Sequence, residues 1–65
     1  MDEREIRRGM RVSFIKPRWA SSETEFLTGK VKGAPNPELP YMFLIKADDG
    51  RTYEVNADAI LMRLP

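Results

Sequence analysis

A set of cations, Arg7, Arg8, Arg11, Lys16, Arg18, Lys30 and Lys32, lies in the first half of the chain. Side chains of this kind neutralise phosphates and release the counterions that surround a nucleic-acid backbone. Trp19 stands beside Arg18. Its flat face is of the kind on which a base stacks or a peptide is capped. If the segments around Arg11 and Lys30 are sequential strands, they are expected to be neighbours. Arg11 and Ser13 on one and Lys30 and Lys32 on the other then share an outer face, with Trp19 above it. A solvated basic strand edge accounts for the same residues. Glu23, Glu25, Glu54 and Asp58 are available to pair these charges.

Other chemistry is thinly supplied. The chain has no histidine and no cysteine, which removes the usual zinc ligands and any disulfide. Ser21 and Ser22 have no histidine to activate them. Asp48 and Asp49 are adjacent carboxylates, as acid–base work requires, but they precede Gly50 in a turn sequence and read as turn formers. Trp19, Phe26, Tyr41 and Tyr53 supply enough aromatic surface for a cage around a methylated ammonium. Ordinary core packing, with Tyr41 paired to Tyr53 across a hairpin, is the alternative. Trp19 likewise either stays in its loop or folds back over an open end of the core. No enzyme, cofactor or metal is expected.

Sixty-five residues make one domain. A chain of this size buries only about 60% of the surface its unfolded form exposes, so dimerisation or docking on a larger protein is a second expectation. Eleven Lys and Arg stand against ten Asp and Glu, a net charge of +1, which gives no global argument for nucleic acid or membrane. The asymmetry is local: residues 4–18 hold Arg4, Arg7, Arg8, Arg11, Lys16 and Arg18 against Glu5. The first nine residues are charged and no run reaches membrane-spanning length, so a cytoplasmic protein without membrane association is expected.

The elements that must carry these residues read as strands. Residues 1–8 form a charged lead-in, a single helical turn or frayed chain whose Ile6 docks on the domain. Residues 9–65 are that domain. Met10, Val12 and Phe14 alternate with Arg11 and Ser13, the pattern of a half-buried first strand over 10–16; Ile15 interrupts the alternation and is expected to cover one end of the core. A long polar loop follows over 17–25. Residues 26–32 read as a second strand in which Gly29 predicts a bulge or sharp bend. Gly33–Pro40 carries three prolines in a stiffened loop. Tyr41–Val55 reads as a hairpin around Asp48-Asp49-Gly50, with a tight primed turn expected. Tyr41, Phe43, Ile45 and Ala47 make its apolar face. Met42, Leu44 and Met62 are apolar residues on faces that a lone barrel leaves open to a partner. Asn56 caps a short helical turn over 56–59, and 60–64 is the last strand. The sum is an all-β domain: a small five-stranded SH3-like barrel with a helical turn before the last strand.

Gly9-Met10-Arg11-Val12, Gly29-Lys30-Val31 and Asp49-Gly50-Arg51-Thr52-Tyr53-Glu54-Val55 resemble the Tudor and KOW group of SH3-like barrels. The layout is closest to the Tudor-like domain associated with hypervirulence in bacteria and fungi. The resemblance covers most of residues 9–64 and implies a non-catalytic binding module. The chain is also similar in layout to the small SH3-like accessory protein of photosystem I, which implies docking on a larger complex. It is similar in size to the plasmid-borne type II dihydrofolate reductase. That family's Val-Gln-Ile-Tyr motif is replaced here by Thr52-Tyr53-Glu54-Val55, so its activity is not carried over.

Overall fold

A computed structural model describes residues 1–20 and 22–65. Five antiparallel strands form one sheet: β1 (Arg11–Ile15), β2 (Phe26–Gly33), β3 (Met42–Ala47), β4 (Thr52–Asn56) and β5 (Ile60–Arg63). Their order is β4-β3-β2-β1-β5. The first four strands follow one another as a meander, and β5 returns to the far side of β1. Strands β4 and β5 are the two edges, and the sheet is open between them.

The alternation read from sequence sets the two faces. Val12 and Phe14 of β1, Val31 of β2, Phe43, Ile45 and Ala47 of β3, and Tyr53 and Val55 of β4 are buried together with Ile60. Where a strand contributes more than one of them, they stand two residues apart, as the pleat requires. Ile6, Met10 and Ala57 complete the cluster. The lead-in is therefore not frayed at Ile6. Glu3–Glu5 form a 3-10 turn whose Asp2 cap accepts from the Arg4 amide, and the Met1 amino nitrogen donates to the carbonyls of Ala57 and Ile60.

Three local expectations are corrected. Of the bulge or sharp bend expected at Gly29, the bulge is not there: Gly29 holds regular register between Val12 and Ala47. Glycine is required there because β3 comes so close. A Cβ would lie 2.5 Å from the Lys46 carbonyl oxygen and 2.8 Å from the Ala47 Cα. The bulges fall instead between Val31 and Gly33 and between Ser13 and Phe14. The hairpin turn is not a primed one. Gly50 alone has positive φ, at 89°, while both aspartates keep negative φ. Gly50 N–H donates to the Ala47 carbonyl and Ala47 N–H to that of Arg51. This is a three-residue loop with the glycine in the left-handed position. Tyr41 leaves the inner face: it precedes β3 and is 39% exposed. The helical turn has the expected cap, Asn56 Oδ1 accepting from Asp58 N–H ahead of a 3-10 turn over Ala57–Ala59.

Candidate functional site

The outer face of the sheet is built from the residues between the buried ones. Register places Arg11 opposite Lys30, Lys30 opposite Lys46, and Lys46 opposite Thr52. Three cations thus lie in one row across β1, β2 and β3. Neighbouring strands are about 4.8 Å apart, so the row is dense in charge. Ser13 and Thr28 lie opposite each other on the same two strands. Lys32 follows Lys30 on the same side of β2. It meets Arg8 in a cleft of about 260 Å³ lined also by Gly33, Ala34, Pro35 and Leu44.

Among the described residues, ion pairs engage only three cations, Arg4, Arg11 and Lys16. Arg11 makes two parallel hydrogen bonds to Asp48, at 2.8 and 3.1 Å. Thr28 Oγ1 donates to the same carboxylate. These donors hold the Asp48 carboxyl at about 2, against an ordinary 3.8, with Arg11 the larger cause. The carboxylate in turn raises the Arg11 guanidinium. Arg8, Lys30, Lys32 and Lys46 have no ion-pair partner among the described residues and are exposed.

Lys16 does not join this face. It has the parity of Val12 and Phe14, so its stem runs toward the core end, where the side chain is 13% exposed. Its ammonium binds Glu25 at 3.1 Å, which raises its pKa. It also sits 5.8 Å from the centroid of the Tyr53 ring. Tyr53 is 2% exposed and donates its hydroxyl to Asp49 Oδ2 at 2.9 Å. Asp49 Oδ1 accepts from Arg51 N–H, and this bond is the main cause of the Asp49 carboxyl lying below its ordinary range. Asp48 and Asp49 both lie in the turn, as expected, and Asp48 is in addition the partner of Arg11.

Trp19 is not above the cationic row. Its ring packs 6.0 Å from Tyr53 and lines an apolar cleft of about 220 Å³ with Ile15, Pro17, Met42, Val55 and Ala59. It remains 70% exposed, so it shields Tyr53 without becoming core. Ile15 is half-buried on this cleft. Arg18 lines a separate hollow with Ile15, Lys16, Ser22, Glu23 and Thr24; Ser21 lies outside the described residues. Arg7 turns back on its own segment and donates to the Arg4 and Ile6 carbonyls.

The four aromatic residues do not form a cage. Tyr53 is enclosed by Phe14, Trp19 and Lys16. Phe26 is 68% exposed at the start of β2, opposite Ile15. Tyr41 lines a hollow with Met1, Asp2 and Asn56. Nor do Tyr41 and Tyr53 pair: the register sets Tyr53 against Ile45, and the Tyr41 carbonyl accepts from Ala57.

Two residues of the face are missing from a reading of sequence. Lys46 belongs to the mixed side of its strand by alternation, but only the β2–β3 register puts it beside Lys30. Asp48 looks like a turn residue because Gly50 follows, and its pairing with Arg11 spans separate hairpins. Among the described residues no group of acidic side chains is placed to hold a metal, and no helix is long and apolar enough to cross a membrane.

No protein-family model, no curated protein and no solved structure matches the chain. Fold and site together define a small all-β protein: a five-stranded antiparallel sheet with one cationic face and one apolar core face.

Proposed function

We propose that the chain is a non-catalytic binding module that takes nucleic acid on the outer face of β1–β3, and that its sheet is a small SH3-like barrel of the Tudor and KOW kind. The observation that carries the reading is the row Arg11–Lys30–Lys46, extended by Lys32 and Arg8. Charges aligned by register, with four of the five lacking an ion pair among the described residues, suit a phosphate backbone more than a solvated edge. Strand order, with β5 returning to β1 after a short turn, supports the barrel. Of the residues expected to bind, Arg8, Arg11, Lys30 and Lys32 remain in the proposed site and Lys46 joins them. Arg7, Lys16, Arg18 and Trp19 lie elsewhere.

The test is fluorescence anisotropy of short labelled single-stranded DNA and RNA at low and moderate salt. The wild-type protein binds, more weakly as salt rises, and Lys30→Glu with Lys46→Glu abolishes binding while the fold is retained. Absence of wild-type binding at low salt, or binding indifferent to the charge reversal, sinks the reading.

A second reading is a protein-interaction module, as a homodimer or as an accessory component of a larger complex. One observation favours it. Ala47 and Ala57 bond across the β3–β4 hairpin to Arg51 and Tyr41. By the alternation of an antiparallel ladder, Thr52, Glu54 and Asn56 direct their backbone groups toward the open edge. That edge borders the Trp19 cleft. Apolar docking there is insensitive to salt, which separates it from phosphate binding.

A further inference from the structure

The cleft beside Arg8 and Lys32 differs from the row that leads to it. The row lies on the flat of the sheet, whereas the cleft is a shallow, open hollow with a polar rim and an apolar side. Arg8 and Lys32 supply two cations, Leu44, Pro35 and Ala34 supply the wall, and among the described residues no carboxylate lines it. Its origin is the bulge. Between Val31 and Gly33 the register slips, so that Gly33 faces Leu44 directly after Val31 has faced Ile45. The extra residue is Lys32. A bulge bends its strand and re-aims a side chain, and Gly33, at φ 133°, supplies the backbone freedom. The Pro35 loop then leaves the sheet immediately beside the bulge.

We propose that this cleft seats one phosphate and its attached sugar from a single-stranded nucleic acid, at the end of the cationic row; the inference rests on the nucleic-acid reading above. Arg8 and Lys32 hold the phosphate, the guanidinium by paired N–H groups and the ammonium as a point charge. Leu44 and Pro35 pack against the sugar. Spacing along the strand agrees with this. Lys30 and Lys32 are two residues apart on β2, at most about 6.6 Å in a fully extended strand and less across the bulge. Their long side chains can therefore reach adjacent phosphates of one single strand. At about 260 Å³ the recess is smaller than the pockets of about 300–1,000 Å³ that enclose drug-sized ligands, which suits a fragment of a chain. A duplex meets the row with its phosphates but holds its sugars in a fixed backbone around the stacked bases. A single strand can turn one unit inward.

The experiment titrates isotope-labelled protein with a short oligothymidylate, with a duplex of matched length, and with inorganic phosphate, while affinity is followed against salt. With oligothymidylate, the Gly33 and Ala34 amides and the Leu44 methyls shift, and the duplex leaves the Leu44 methyls unmoved. Arg8→Ala with Lys32→Ala weakens oligothymidylate binding about tenfold and reduces the salt slope by about 0.7, the loss of one phosphate contact. Both side chains are exposed and lack ion pairs among the described residues; Arg8→Gln with Lys32→Gln serves if the alanine pair does not fold. If the cleft variant binds like wild type while Lys30→Glu with Lys46→Glu does not bind, the cleft inference fails and the face reading stands. If wild type binds no oligonucleotide, both fail. Equal Leu44 shifts with the duplex, or displacement of oligothymidylate by equimolar inorganic phosphate, also overturn the inference.

Discussion

The outer face of β1–β3 and the core end beneath the first loop use the same residue types to opposite effect. Each brings together lysine, aspartate and a hydroxyl group. At the core end the groups satisfy one another: Lys16 with Glu25, Tyr53 with Asp49, and Trp19 over the Tyr53 ring. On the face, Lys30, Lys32, Lys46 and Arg8 have no such counterpart among the described residues. A cation is paired when the fold brings it a carboxylate, and is left exposed when the fold brings it another cation. The comparison also places Trp19, which belongs to the satisfied region although its sequence neighbours are basic.

The largest test removes the centre of the satisfied end. Tyr53→Ala costs about 3–5 kcal/mol, the range for deleting a buried aromatic ring. A domain of this length has roughly 3–10 kcal/mol of stability in all. Chemical denaturation is expected to show a chain that is unfolded or nearly so. A stable Tyr53→Ala protein would mean that the end cluster is surface decoration, and the contrast with the face would dissolve.

Next comes Gly29→Ala, which strikes the framework that spaces the row. Its Cβ meets backbone atoms of Lys46 and Ala47 at 2.5 and 2.8 Å, and backbone cannot rotate away as a side chain does. Overpacking of this kind costs about 1–3 kcal/mol. A lower denaturation midpoint is expected, with the largest amide shifts at β2–β3. An unchanged midpoint would show that the two strands are not so closely apposed.

The smallest effect on stability, and the most informative for binding, is Asp48→Asn. Arg11 is, among the described residues, the one cation of the row that a carboxylate occupies, so under the proposed function Asp48 competes with a phosphate. The substitution leaves the denaturation midpoint nearly unchanged, because the pair is exposed and screened, and tightens oligonucleotide binding severalfold at low salt. Weaker binding would place Asp48 in the site rather than in competition for it. The pH dependence has a definite sign. The Asp48 carboxyl is lowered from 3.8 to about 2, so the Arg11 contact contributes fully above pH 3.8 and fades as pH falls toward 2. An acid titration followed by NMR checks this at the Asp48 carboxyl.

Much of the architecture is legible in sequence because burial enforces a period of two. Val12, Phe14, Phe43, Ile45, Tyr53 and Val55 announce their strands, and Asn56 its cap. The turn at Gly50 is legible as a turn but not by type, since Asp-Gly serves both two- and three-residue loops. Gly29 is legible as unusual, but a bulge and a close approach call for the same residue. The site is less legible because a row across a sheet depends on register. Lys46 and Lys30 are sixteen positions apart, and nothing local to either announces the other. Lys16 misleads because its last alternating position falls where the strand has ended and the core has opened to solvent.

The pairing of β5 with β1 has a consequence for how the chain reaches its structure. The β1–β2, β2–β3 and β3–β4 ladders each join segments adjacent in sequence, and hairpins of this kind form within about 1–10 μs. The β1–β5 ladder joins Val12 to Arg63 and Phe14 to Ile60, from opposite ends of the chain, and must wait for loop closure. The three hairpins can therefore be complete before Ile60 joins β1. At that stage β1 is an unprotected edge and Phe14 lacks its partner, so the interval before the last strand docks is when the folding chain is most exposed to pairing with the wrong neighbour.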